Sequence, residues 1–136
     1  MSKFFILVLL FGLAPAAAMA QASPASSNAN VAFNNAISNI PGKSVVAVVV
    51  SYPPGAKSPP HHHAASAFIT GYVLEGAILS KVDDGPEKVF HAGESFNETP
   101  GAHHEVSANA STTEPAKLLA VFVVDTGEMP LTIPDK

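Results

Sequence analysis

Cysteine and arginine are both missing from this chain of 136 residues, and each absence closes off a set of functions. Without cysteine there is no disulfide framework, so apolar burial, a metal ion or a partner subunit must stabilise the fold. Without arginine the chain lacks the planar fork that grips phosphate or carboxylate at two points. The formal net charge is -4, with every basic residue a lysine. No basic cluster supplies the phosphate contacts that drive nucleic-acid binding, so nucleic acid is excluded as a partner and a large polyanionic substrate is disfavoured. Long helical patterns and fixed-period repeats are lacking as well.

The N-terminus carries one lysine, an apolar run over residues 4–13 and a small-x-small end at Ala18-Met19-Ala20. That is the anatomy of a secretory signal peptide, and the run is shorter than the roughly 20 residues a spanning helix needs. Residues 1–20 are therefore expected to be removed, by cleavage after Ala20 or after Ala22. The product is a periplasmic or secreted bacterial protein with no membrane association after cleavage.

Residues 21–42 form the next segment. Its first half is Ala, Ser, Asn and Pro, a composition that buries little and reads as a flexible tether. Val31, Ala32, Phe33, Ala36, Ile37 and Ile40 recur at near-helical spacing and predict a short amphipathic helix before Pro41-Gly42. Residues 43–125 are of single-domain size, and residues 126–136 read as a C-terminal tail.

Within 43–125 the pattern is strands and turns. Five of the nine residues 44–52 are valine, a β-branched run that favours extended backbone and implies burial on both faces, and Pro53-Pro54-Gly55 ends it. Strands are predicted over 68–74 and 77–82 around Glu75-Gly76, and over 87–91 after the turn at Asp83-Asp84-Gly85-Pro86. Residues 95–98 lead into Pro100-Gly101, residues 109–115 form a polar loop, and 117–125 is the last strong strand. Short strands with Gly/Pro-rich turns predict an all-β sandwich or barrel.

Five of the six histidines fall in two places, His61-His62-His63 and His103-His104. Side chains alternate along a strand, so His61 and His63 share a face with their α-carbons roughly 7 Å apart, and two imidazoles can converge on one ion. His62 then points the other way, and only one of His103 and His104 faces inward. His62 and His103 are expected to be exposed or to support the ligands, and His91 to lie on the surface. Glu98 precedes His104 by an even interval and shares a face with Phe96, which aims it into the barrel. A buried carboxylate seeks a cation, a hydrogen bond or a proton, so Glu98 is a candidate metal ligand or acid/base group. Glu94 has the same parity but sits beside the Gly93 turn, where rim exposure is expected. Phe68, Tyr72, Phe90, Phe96 and Phe122 read as core, with Tyr72 taken as the one aromatic whose hydroxyl could act on a substrate.

The two clusters sit in Gly55-x5-His61-x-His63, with Gly76 beyond it, and in Gly93 followed by Pro100-Gly101-x-x-His104. In order and separation these resemble the two motifs of the cupin superfamily. The resemblance implies a cupin-type jelly-roll β-barrel, single-domain, with His61, His63 and His104 as ligands of a divalent metal such as Fe(II), Mn(II) or Zn(II). Three departures stand out. The family glutamate three or four residues beyond the second histidine is replaced by Ala67 and Phe68. Thr99 stands at the usual proline position, and the later asparagine is Asn109, one place late. The interval from His63 to Gly76 is one residue longer than the common pattern, which fits a bulge in that strand.

The expected function is that of a metal-binding cupin acting on a small molecule, dioxygenase-like or isomerase/lyase-like, with Glu98 as fourth ligand or proton handler. The alternative is a non-catalytic periplasmic module that captures a metal or small ligand. Either is compatible with a homodimer in which the apolar strands 45–50 and 118–124 continue across a subunit interface.

Overall fold

The computed structural model describes residues 25–136, so the expected signal peptide over 1–20 lies outside the described residues. Among the described residues there are eleven strands and no helix. The organising pair is β2 (Lys43–Tyr52) and β10 (Ala116–Asp125), antiparallel along their whole length from Ala116↔Tyr52 to Asp125↔Lys43. Burial alternates residue by residue through β10. Its inward Leu118, Ala120, Phe122 and Val124 form the core with Val46 and Tyr52 of β2, and the β-branched runs supply that surface. The implied burial of the valine run on both faces is only partly realised, because Val45 and Val49 on the outer face stay half-buried.

The remaining strands are β1 (Asn28–Ala36), β3 (Lys57–Ser58), β4 (His61–His63), β5 (Phe68–Glu75), β6 (Ala77–Val82), β7 (Lys88–His91), β8 (Ser95–Glu98), β9 (His103–Asn109) and β11 (Thr132–Pro134). One sheet runs β1-β2-β10-β5-β8 and the other β11-β4-β9-β6-β7, with β3 also on β9. From β4 onward the chain winds back and forth between the two antiparallel sheets, giving the all-β architecture expected from the turn spacing and the single-domain jelly roll that the cupin resemblance implies. β6 and β8 occupy the expected residues, and the other barrel strands differ at their ends by a few residues.

In β5 the pairing with β10 slips by one place, Leu118 opposing Val73 and Lys117 opposing Glu75. Leu74 is thus the extra residue that lengthens the interval from His63 to Gly76. Gly76 closes the turn into β6 at φ +68, and a Cβ there would lie 2.5 Å from the Pro115 carbonyl oxygen. Only glycine fits both constraints.

Two expectations for the flanks are corrected. Residues 28–36 form strand β1, not a tether followed by a helix. Val31 pairs with Val48 but Phe33 with Ala47, so a bulge at Ala32 turns these two side chains to opposite faces. That irregularity, set against the period of two, produced the helix-like spacing, and the open hydrogen-bonding edge of β2 decided the conformation. Likewise residues 126–136 are more than a tail, since β11 pairs with β4 in the register Thr132↔His63 to Pro134↔His61. The expected subunit continuation through strands 45–50 and 118–124 also fails edge to edge. β2 is flanked by β1 and β10, and β10 by β2 and β5, so neither strand has a free edge.

Candidate metal centre

Pro59-Pro60 delivers the chain to β4 in extended form, because proline fixes its own φ and bars the helical region to the residue before it. β4 and β9 then pair with His61 opposite His104 and His62 opposite His103. The alternation holds. His61, His63 and His104 are buried, whereas His62 is exposed and His103 half-buried. The His61 ring centroid lies 4.8 Å from that of His63 and 5.2 Å from that of His104, and one nitrogen from each of the three rings falls within 4.8 Å of the others.

Each ring is oriented by its other nitrogen. His61 Nδ1 donates to the Pro59 carbonyl at 2.7 Å, and His63 Nδ1 donates to the Leu131 carbonyl at 3.2 Å. His104 Nε2 meets the Ser80 hydroxyl at 2.9 Å. A carbonyl can only accept, so in the neutral rings these bonds leave Nε2 of His61 and His63 as lone pairs facing inward, while Ser80 holds Nε2 of His104 and its Nδ1 faces Glu98.

Glu98 completes the group from β8, where it pairs with Ile69 of β5. It is only 3% exposed; Oε1 lies 3.3 Å from His104 Nδ1 and Oε2 lies 3.1 Å from His63 Nε2. Despite that short distance Oε2 has no hydrogen-bond partner of acceptable geometry. Two lone pairs facing each other in a buried space cost several kcal/mol, so this 3.1 Å contact calls for a proton or a cation between the two atoms. Three oriented imidazoles and an unpartnered carboxylate oxygen fit a divalent ion in chemistry and number.

The electrostatics agree. Burial lowers the pKa of His104 to about 4, outweighing the attraction of Glu98, and burial also lowers that of His61. Neutral rings are the ligating form. Burial would raise the pKa of Glu98, but a hydrogen bond from His63 and the charge of whichever neighbouring histidine holds a proton outweigh it, and its pKa is lowered. The carboxylate is therefore ionised at neutral pH.

The cupin-domain family model matches residues 48–122, more than half of the chain. This chain belongs to the cupin family. No curated protein sequence matches it. Among solved structures it is similar to an uncharacterized conserved protein with a double-stranded β-helix domain from Klebsiella pneumoniae, at 20% identity and TM-score 0.63, covering 85% of this chain and 90% of that one. An RmlC-like cupin family protein from Methanocaldococcus jannaschii gives 11% identity and TM-score 0.58 over 79% of this chain and 87% of that one. Oxalate oxidase in complex with the substrate analogue glycolate gives 23% identity and TM-score 0.60, over 80% of this chain and 56% of that one. At these identities the likeness is one of fold.

In this cupin the lost motif glutamate leaves Ala67 buried and Phe68 turned outward at 42% exposed. Glu98 comes to the histidines from the strand next to β5. Above them opens a cavity of about 230 Å³ walled by Val48, Val50, Leu118, Ala120 and Phe122. Sequence reasoning missed Tyr52, which ends the valine run and received no role of its own. Its hydroxyl bonds Ser107 at 2.7 Å and Ser58 at 3.2 Å on the cavity wall, and burial raises its pKa, so the phenol keeps its proton there. Tyr72, expected to pack in the core and singled out only as a phenol able to act on a substrate, is instead 42% exposed on the outer face of β5. Phe122 is core as expected, while Phe90 and Phe96 are half-buried. Glu94 is exposed and bonds the backbone of His91, which is itself exposed. Asn109 is structural: its amide donates to the carbonyls of Tyr52, Pro53 and Glu114, closing the loop after β9.

Proposed function

We propose that this cupin is a metal-dependent enzyme acting on a small organic molecule, with one divalent ion held by His61, His63, His104 and Glu98. The observation that carries the reading is the unpartnered Glu98 Oε2 facing three pre-oriented imidazoles at the floor of an apolar-walled cavity. Fe(II), Mn(II) or Zn(II) in such a set supplies Lewis acidity, and iron or manganese supplies redox chemistry of the dioxygenase type as well. Ala120, Phe122 and Leu118 pack against the body of the substrate and exclude water, while the Tyr52 hydroxyl donates a hydrogen bond to a substrate oxygen. Glu98 is the single carboxylate among the side chains lining the cavity, so proton handling in an isomerase- or lyase-type step falls to its oxygens. A molecule of several carbons with an oxygen donor suits the volume, and no lysine lines the cavity to greet a polyanion.

A non-catalytic periplasmic binder is the second reading. It is favoured by the cavity's other polar side chains, which apart from the histidines and Glu98 are all hydroxyls: Tyr52, Ser27, Ser58, Ser107 and Thr132. Elemental analysis of the purified protein, followed by oxygen uptake with small phenols, thiols and β-diketones and by product analysis under anaerobic conditions, separates the two. Bound metal with substrate turnover supports the enzyme; stoichiometric metal without turnover of any kind supports the binder. Full metal occupancy after His61→Ala and His104→Ala would refute the ligand set.

The proposal includes export by the 1–20 segment and a homodimer. The outer face of the β1-β2-β10-β5 sheet carries Phe33, Phe68 and Tyr72 at 42–44% exposed. Half-buried Val45, Val49, Leu119, Val121 and Val123 lie between them. A contiguous apolar face of this kind marks an interaction surface, and a second copy related by a two-fold axis is its self-complementary cover.

A further inference from the structure

The β4/β9 ladder carries two histidine pairs, and the metal centre uses only the inner one. His62 and His103 are the next cross-strand pair on the opposite face, with rings stacked at 4.4 Å between centroids and 23° between planes. A third ligand-type side chain joins them from a different element. Asp135 follows β11, and its backbone N–H is tied to the Pro60 carbonyl at 3.0 Å. Asp135 Oδ2 lies 2.8 Å from His103 Nε2 and Oδ1 lies 3.8 Å from His62 Nε2. One donor atom from each residue falls within 4.8 Å of the others. None of the three lines the inner cavity.

We propose that His62, His103 and Asp135 form a second, exterior divalent-metal site that clamps the C-terminal strand onto the barrel. Two imidazoles and one carboxylate are a nitrogen/oxygen set suited to Zn(II), Cu(II) or Ni(II), with the remaining coordination positions filled by water. The side chains are 52%, 31% and 37% exposed, so an ion enters from solution without any opening of the barrel. The two histidines stand on paired strands of the rigid sheet, whereas Asp135 directly follows β11, a three-residue edge strand whose side chains are all exposed. An ion shared between them therefore acts chiefly on that strand. The consequence reaches inward, because Thr132 and Pro134 line the cavity and the Leu131 carbonyl orients His63. Filling the exterior site holds in place both a wall of the cavity and the partner of an inner ligand.

The test is titration of the untagged, chelator-stripped protein with Zn(II) followed by calorimetry, together with hydrogen exchange of the amides over 131–135. The intact protein should take up two equivalents, and exchange over 131–135 should slow as the weaker equivalent binds. Asp135→Asn, and separately the double variant His62→Ala with His103→Ala, should each take up one equivalent and lose that slowing. These side chains are partly exposed, and a thermal melt without metal confirms that each variant folds. Uptake of a single equivalent by the intact protein, or of two by the double variant, would overturn the proposal. So would two equivalents without any change over 131–135. Loss of binding only on His61→Ala would place all the metal in the inner centre and leave the exterior site refuted.

Discussion

Removing metal should leave a protein whose stability declines with acid over a window set by its buried imidazoles. His104 is 3% exposed, and burial lowers its pKa to about 4 in the folded chain. In the unfolded chain it returns to about 6.5. Above that value neither state carries the proton, so His104 contributes no pH dependence. Between about 6.5 and about 4 only the unfolded chain takes the proton up, and stability must fall as pH falls. A depression of about 2.5 units corresponds to roughly 3 kcal/mol, a large part of the 5–15 kcal/mol that typically holds a domain together. His61, lowered by the same cause, adds loss in the same direction below its ordinary value. Glu98 is lowered as well, so its contribution is present above the ordinary carboxylate value and is lost only at lower pH, through its folded value. Urea denaturation of chelator-stripped protein followed by circular dichroism, from about pH 7.5 down to about pH 5, isolates the imidazoles. A stability decline of about 1–2 kcal/mol across that range is expected, with most of the slope removed in His104→Asn. A flat profile, or an unchanged slope in His104→Asn, would refute the claim that this ring is buried neutral. Saturating Zn(II) should raise the whole curve and steepen its acid side, because protons compete with the ion for the same nitrogens.

Ser80→Ala removes the hydroxyl that orients His104 without touching the inward nitrogen. Metal affinity by competition with a chromophoric chelator should fall about 10–100-fold while the thermal melt of the stripped protein moves little. Gly71→Ala would set a Cβ 2.6 Å from the ring of Phe96, which itself packs edge-on against His104. We expect a loss of about 1–3 kcal/mol by urea denaturation, accompanied by weaker metal retention. Charging the outer sheet face through Leu119→Lys with Tyr72→Lys should convert a homodimer to a monomer in light scattering at unchanged metal content. A wild-type protein that is already monomeric at about 0.1 mM would remove the dimer.

The inner histidines were legible because the signal that carries them, alternation with a period of two, is local and survives any tertiary arrangement. His61-x-His63 needed only an extended backbone, and Pro59-Pro60 supplied it. Glu98 was legible for the same reason, although its parity with His104 could not say which imidazole it would meet; that depended on the Ile69↔Glu98 register, a property of two strands far apart in sequence. What alternation cannot carry is an edge. β1 was misread because a single bulge at Ala32 breaks the period, and β11 because three exposed residues have no pattern at all. Both are held mainly by backbone hydrogen bonds to a neighbour, and backbone bonds leave no trace in side-chain type. Tyr52 failed differently. Its burial was anticipated by the valine run, but a phenol at the end of an apolar strand looks the same whether its hydroxyl meets solvent or, as here, Ser107 across the cavity. The error at β11 bears directly on function, because this strand's flanking residues orient His63 through the Leu131 carbonyl and bring Asp135 to the outer histidines. A truncation at residue 130 therefore separates the barrel core from the metal-binding side chains. The β-branched core strands 43–52 and 116–125 would keep their pairing, while the stripped protein lost the carbonyl that fixes His63 and the carboxylate that joins His62 to His103. Such a chain should still fold by circular dichroism yet hold metal more weakly at the inner centre and none outside. Undiminished inner affinity after truncation would mean that the ring of His63 is fixed by packing against Phe122, at 5.4 Å between ring centroids, and not by the Leu131 carbonyl.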